Sequence, residues 1–158
     1  MFTSLIAKIN LVLTSSIFYA TVKNCGVGTS LFTLNEVTIT PSSPLPGDNV
    51  SLYVDYTIPQ GMTVVGGTTE YDMTYNYIPF SPTFEPLCQN IPCPLGPGRY
   101  HNTSISVWPS DLSGSLVTRM KWWNLDKMEL LCVEIAGKFW ASTDLVLVPV
   151  LNGSNTSS

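Results

Sequence analysis

Charge is the scarcest commodity in this chain. Only 11% of its residues are charged, less than half of the roughly 25% usual in globular proteins. Seven Lys and Arg stand against eleven Asp and Glu, a formal net charge of -4. No basic stripe exists to neutralise phosphates, which excludes nucleic acid as a partner. Histidine is nearly missing too: His101 is the single one, it sits beside a glycosylation sequon at the start of an alternating run, and it reads as a surface residue. There is no G-x-S-x-G nucleophile elbow. Gly26-Val27-Gly28 is too short for a phosphate cradle and precedes no helical pattern. Cys88 and Cys93 have no second pair or histidine cluster with which to hold a metal. Glu70 and Asp72 share a strand face, as a glycosidase carboxylate pair would, but opposite an apolar row, where they read as a solvated outer surface. The expectation is a non-enzyme with no metal and no cofactor.

Long apolar runs are also absent. The leader, with Lys8 and then Ile9, Leu11, Val12, Leu13, Ile17 and Phe18, is broken by Asn10, Thr14, Ser15 and Ser16. It falls short of the roughly 20 residues a spanning helix needs and reads as a cleaved signal peptide over residues 1–20. Its removal takes Lys8 with it and leaves the mature chain one unit more acidic. The late run Leu145-Val146-Leu147-Val148 is cut by Pro149, and residues 152–158 are polar and Ser-rich, the composition of a flexible tail. Residues 21–151 are then one domain, without linker or internal repeat, long enough to bury close to 70% of its unfolded surface.

What the chain does have is four cysteines, Cys25, Cys88, Cys93 and Cys132, an even number in a short chain with a secretory leader. That reads as two disulfides. Three pairings are formally possible; the short C-Q-N-I-P-C spacing makes Cys88 with Cys93 the easiest closure and leaves Cys25 for Cys132. Four N-x-S/T sequons, at Asn49, Asn102, Asn152 and Asn155, are candidate glycosylation sites and so predict surface positions.

Hydrophobicity follows period two. Val50, Leu52, Val54, Tyr56 and Ile58 alternate with Ser51, Tyr53, Asp55 and Thr57, placing one apolar row on one strand face. Val37 and Ile39 do the same, as do Tyr71, Met73, Tyr75 and Tyr77, then Leu131, Val133 and Ile135. Around residue 105 the pattern predicts Thr103, Ile105 and Val107 inward with Asn102, Ser104 and Ser106 outward. In Leu116-Val117-Thr118-Arg119-Met120-Lys121-Trp122-Trp123, strict alternation puts Leu116, Met120 and Trp122 inside, and a bulge would exchange the tryptophans, so both stay candidates. Pro/Gly-rich turns at 41–48, 59–61, 79–86, 92–98 and 109–114 separate these runs. Many short alternating strands with such punctuation predict an all-β sandwich or barrel of antiparallel sheets.

Several of these features occur in a familiar order: Cys25-Gly26, Pro46-Gly47 before a strand, Ile78-Pro79-Phe80-Ser81-Pro82, C-x4-C-P-L from Cys88, a Trp-bearing strand, then Leu131-Cys132. Together they resemble the ML, or lipid-recognition, domain family over roughly residues 25–137, the family of phosphatidylglycerol/phosphatidylinositol transfer proteins and the Niemann-Pick type C sterol carrier. The resemblance implies an immunoglobulin-like β-sandwich of two antiparallel sheets with an apolar cavity between them, and the same cysteine pairing, first with last. Residues 31–45 lack the extra cysteines that sterol-carrier members often have there, and the extension past Lys138 has no counterpart in the family pattern.

On that resemblance the cavity lining would come from Val37 and Ile39; Leu52, Val54 and Tyr56; Tyr71, Met73 and Tyr75; Ile105; Met120, Trp122 and Trp123; and Leu131, Val133 and Ile135. Phe80 and Val107 stand where an entrance phenylalanine and a rim valine stand in sterol-carrier relatives. Tyrosine hydroxyls on the wall would meet a sterol hydroxyl or lipid ester. The implied function is that of a secreted or endolysosomal, monomeric lipid-binding and transfer protein. It would hold a phospholipid or sterol and contact membranes transiently, through Arg99, Arg119 or Lys121 if the surface is anionic. The alternatives are a module presenting its lipid to a receptor or hydrolase, and a carbohydrate-directed β-sandwich.

Overall fold

The computed structural model describes residues 19–110 and 113–139. Nine strands and one helical turn follow in order: β1 Tyr19–Asn24, β2 Thr33–Thr40, β3 Asn49–Ile58, β4 Gly67–Tyr75, β5 Ile78–Pro79, β6 Thr83–Pro86, α1 Leu87–Asn90, β7 Gly98–Val107, β8 Gly114–Asn124 and β9 Glu129–Phe139. All ladders are antiparallel. They form two sheets, one in the order β1-β9-β8-β4-β5 with β6 also paired to β4, the other β2-β3-β7. Of the all-β sandwich or barrel expected from the alternation, the chain forms the two-sheet sandwich that the resemblance implies. β1 begins inside the expected leader, at Tyr19, and Ala20 is buried in a small cluster with Val50 and Trp108. The rest of that leader, Asn152, Asn155, the polar tail and the 145–151 run lie outside the described residues.

The apolar rows on β3, β4, β8 and β9 face one another. Val50, Leu52, Val54, Tyr56 and Ile58 are all buried, and across from them stand Trp122, Leu131 and Val133. Tyr56 is the hub: it stacks on Phe32 at 5.5 Å and on Tyr100 at 6.0 Å between ring centroids, and meets Trp122 edge-on at 5.2 Å. Offset and T-shaped pairs of this kind add about 0.5–1.5 kcal/mol each beyond area burial. Leu87, Ile91 and Leu95, from α1 and the loop behind it, close the same end of the sandwich.

Both disulfides belong to this filled end. Cys25 is joined to Cys132, 107 residues away, and Cys88 to Cys93. The first ties the end of β1 to β9; closing so long a loop removes unfolded-state entropy worth about 4–5 kcal/mol in the chain-entropy model.

β7 runs opposite to the parity that its sequence predicts. Its ladder with β3 pairs Val54 with Asn102, Leu52 with Ser104 and Val50 with Ser106, and cross-strand partners share a face. Asn102, Ser104 and Ser106 therefore face the other sheet, while Ile105, paired with Ser51, points out and is 75% exposed. Two contacts lock this register. Tyr100 packs inward on Tyr56, and on the outer face Arg99 grips the Asp55 carboxylate with both Nε and Nη2, at 2.9 and 2.7 Å. A one-residue slip would lose both at once.

Trp123 is a second correction. A register irregularity between Trp122 and Trp123 carries Leu130 as the extra residue on β9, and it leaves Trp123 outside, its Nε1–H donating to Glu70 at 2.6 Å. That outer face carries a charge ladder: Lys121 pairs with Asp72 and Glu70, and Glu134 accepts from both Arg119 and Lys23. Glu70 and Asp72 are thus neutralised by cross-strand cations, away from the interior.

Candidate functional site

Beyond the filled end the two sheets part around a cavity of about 450 Å³, within the usual range of about 300–1,000 Å³ for small-molecule sites. Its apolar walls come from β2 and β3 (Ile39, Val50, Leu52, Val54) and from β4, β8 and β9 (Met73, Leu116, Met120, Trp122, Ile135). Among the described residues, none that lines it is charged.

The opening follows from how the sheet margins are joined. On one side β1 and the segment before β2 are bonded across the sheets: Ala20 N–H donates to Ser42 O at 3.2 Å, and Leu31 and Phe32 N–H to Glu129 and Leu130 O at 3.0 and 2.9 Å. On the other side the margins are β7 and the short strands β5 and β6 that pair along β4. There Asn102 Nδ2 donates to the Asn90 carbonyl at 3.0 Å, clasping β7 to α1. Beyond this clasp Ser104, Ser106 and Val107 flank the gap.

Asn90 is the centre of a polar knot at the cavity floor. Its Nδ2 donates to Glu85 at 2.7 Å and to Thr69 Oγ1 at 3.0 Å, and the Tyr71 hydroxyl donates to the same Glu85 oxygen at 2.6 Å. Burial, helped by the Glu85 carboxylate, pushes the Tyr71 phenol far up, while the bonds from Tyr71 and Asn90 hold Glu85 below the ordinary carboxylate range. Tyr71 is therefore a neutral phenol whose proton is committed. Tyr75 likewise donates to Ser113 O, at 2.6 Å. Neither tyrosine keeps a free O–H for a ligand, contrary to the expectation from the sequence.

Of the residues expected at the cavity, the structure brings together Ile39, Leu52, Val54, Tyr71, Met73, Val107, Met120, Trp122 and Ile135. Tyr56, Leu131 and Val133 belong to the filled core, and Val37 packs against that core from β2. Tyr75, Ile105 and Trp123 are elsewhere, for the reasons of hydrogen bonding and register given above. Phe80 is not in the lining: it is 54% exposed, with its N–H donating to Met73 O at 2.8 Å, which adds it to the sheet margin beside the wall. Leu116, Trp108 and Val50 were missed as lining residues. Leu116 and Val50 stand on inward rows that the alternation already marks, whereas Trp108 lies past the end of β7, where no pattern could place it.

Apolar side chains crowd the margins beside the opening. β4 and β5 are joined by Asn76 and Tyr77, both at positive φ, 47° and 67°, as a two-residue type I′ turn requires. Asn76 pins the tip: its N–H donates to Ser115 O and its Oδ1 accepts from Ser115 N–H, at 2.9 and 2.8 Å. Tyr77 is left 92% exposed, followed by exposed Ile78 and Phe80, with Ile105 and Val107 exposed on β7.

The ML domain family matches residues 20–139. A Dictyostelium discoideum protein named as a phosphatidylglycerol/phosphatidylinositol transfer protein is 23% identical over 129 residues, 79% of this chain and 90% of its own length. Among solved structures, a Niemann-Pick type C2 protein from Japanese carpenter ant superposes with a TM-score of 0.53 at 14% identity, covering 73% of this chain and 96% of that one. Chicken MD-1 complexed with lipid IVa superposes at 0.56 and 13% identity, covering 80% and 94%. These likenesses share the immunoglobulin-like sandwich, and with the family match over most of its length, this chain belongs to the ML domain family.

Proposed function

We propose that this protein is a lipid carrier of the secretory or endolysosomal lumen, holding one phospholipid or sterol between its sheets and exchanging it with membranes. The observation that carries the reading is a 450 Å³ cavity, open at a sheet margin, whose walls are mostly apolar and, among the described residues, carry no charge. Each methylene buried there contributes about 0.8 kcal/mol, so a chain of a dozen carbons outweighs a good part of the cost of association. No catalytic group is needed; a headgroup stays at the mouth, in water. Exposed Tyr77, Ile78, Phe80, Ile105 and Val107 form a rim that seats in a bilayer interface, where amphipathic tyrosine is favoured. The self-neutralised charge ladder leaves little to select anionic headgroups. The two disulfides suit an oxidising compartment.

Native mass spectrometry of protein from a secretory host, with organic extraction of what travels with it, tests the reading. A stoichiometric phospholipid or sterol is expected. Protein that emerges bare and also refuses added fluorescent lipids overturns it. A complex with a receptor or hydrolase that forms only from loaded protein would mark lipid presentation in place of membrane exchange.

A further inference from the structure

Resting on the lipid-carrier reading, and narrowing it, is the distribution of polar groups inside the cavity. Trp122 lines the cavity and is 1% exposed, and its indole Nε1 is buried with no hydrogen-bond partner among the described residues. A buried donor left unmet costs about 1–3 kcal/mol, and buried tryptophan N–H groups ordinarily find an acceptor. The other indole on the outer face shows the contrast, since Trp123 finds Glu70. Three hydroxyls share the lining with Trp122, those of Ser104 and Ser106 on β7 and Thr118 on β8. None of the three donates or accepts a side-chain hydrogen bond among the described residues. By contrast the remaining polar groups of the lining are spent: Tyr71 on Glu85, Asn90 on Glu85 and Thr69, Asn102 on Asn90.

We infer that the part of the ligand inside the cavity carries an uncharged oxygen function, a hydroxyl or an ester, which accepts from Trp122 Nε1–H or pairs with the hydroxyls of Ser104, Ser106 and Thr118. A hydrocarbon chain alone would leave the buried Trp122 donor unmatched and would cover the Thr118 hydroxyl without pairing it, while the exposed Ser104 and Ser106 stand nearer the mouth. A carboxylate or phosphate inside would be stripped of water with no cation among the described lining residues to pair with it. Unspent neutral donors and acceptors among apolar walls therefore select a neutral, oxygen-bearing lipid segment.

The test measures competition by hexadecanol and by hexadecane against a fluorescent lipid bound to the intact, disulfide-bonded protein. The quantity read is the ratio of the two affinities in each variant, relative to wild type, which cancels the different solubilities of the probes. Trp122→Phe keeps an aromatic ring and removes the donor; the ratio should fall about threefold to tenfold, the worth of one hydrogen bond. Because Trp122 also packs on Tyr56, a second variant guards against misfolding: Ser106→Ala with Thr118→Val removes two hydroxyls, one at an exposed and one at a half-buried position. It spares Ser104, the third residue of the Asn102 sequon, and should lower the ratio in the same direction. Unchanged ratios in both variants overturn the inference while leaving the carrier reading intact. Failure of folded wild-type protein to take up either probe or the fluorescent lipid overturns both.

Discussion

Replacing Tyr77 with glycine should make the protein more stable and less able to deliver lipid. Tyr77 occupies the second position of a type I′ turn at φ 67°, where a Cβ costs about 1–2 kcal/mol and where glycine is the favoured residue. Being 92% exposed, its ring contributes no packing that would be lost. Glycine gives back about 0.5–1 kcal/mol through its greater freedom in the unfolded chain, which leaves a net gain of about 0.5–1 kcal/mol. For a domain of this size that is a rise in Tm of about 2–6 °C, measurable by circular dichroism with the disulfides intact. The Asn76 clamp to Ser115 keeps the hairpin in place, so the substitution changes the tip without moving it. The rate at which a fluorescent lipid passes from protein to vesicles should fall severalfold, because the most exposed aromatic of the rim is gone. A lower Tm would refute the strain argument, and an undiminished transfer rate would refute the place of this hairpin in membrane contact. Strain retained at an exposed aromatic is what a functional demand on that residue would produce.

Filling the cavity should separate binding from stability. Leu116→Phe adds volume to the hollow end, and lipid affinity should fall tenfold or more while Tm holds or rises; parallel losses would place Leu116 in a packed core. Acid should be tolerated to an unusual degree. Arg99 and then Asn35 hold the Asp55 carboxyl down to about 2, and Lys23 and Arg119 overcome burial to lower Glu134. Depressed carboxyls stabilise the fold above their unfolded values and lose that contribution only as pH falls through the folded ones. Urea midpoints should therefore stay level from pH 7 to about 4.5 and drop between about pH 4 and 2; a decline already complete by pH 5 would contradict these pairings. Glycopeptide mapping should find sugar on Asn49, which is exposed at the start of β3, and none on Asn102. The Nδ2 of Asn102 is committed to Asn90 O at the cavity floor, and full occupancy in folded, lipid-loaded protein would refute that placement.

The apolar rows of β3 and β9 are legible in the sequence because they answer to the facing sheet, although Asp55, Cys132 and Glu134 between them are buried as well. Val50 to Ile58 on β3 alternates without fault, as does the Leu131, Val133, Ile135 row, and the fold class follows from such rows. β7 was misread for a reason that bears on function. It is a sheet margin beside a gap, so its inward positions meet an open cavity and accept Asn102, Ser104 and Ser106, while Ile105 is left outside on the rim. Periodicity measures burial, and at a cavity mouth burial and inward direction part company. The two tryptophans could not be sorted from sequence, since only the extra Leu130 on β9 settles which faces in. Nor could alternation say where the sandwich is hollow: Tyr56 and Val133 lie in rows continuous with Leu52 and Ile135, yet one pair fills the core and the other walls the cavity. That division depends on which margins are tied, a long-range matter of the segment before β2 meeting β9 and of Asn102 meeting Asn90.

The Cys25–Cys132 bridge and the Tyr56 aromatic hub lie together at one end of the sandwich, and the cavity occupies the other. Folding stability and ligand choice are thus written into different halves of the chain's surface and interior. Substitutions among Leu116, Met73 and Ser106 can accumulate without spending the contacts that keep the sheets together, because those contacts are made elsewhere. A scaffold divided in this way is evolvable: descendants can repaint the hollow half, and the stapled half carries them through the intermediates.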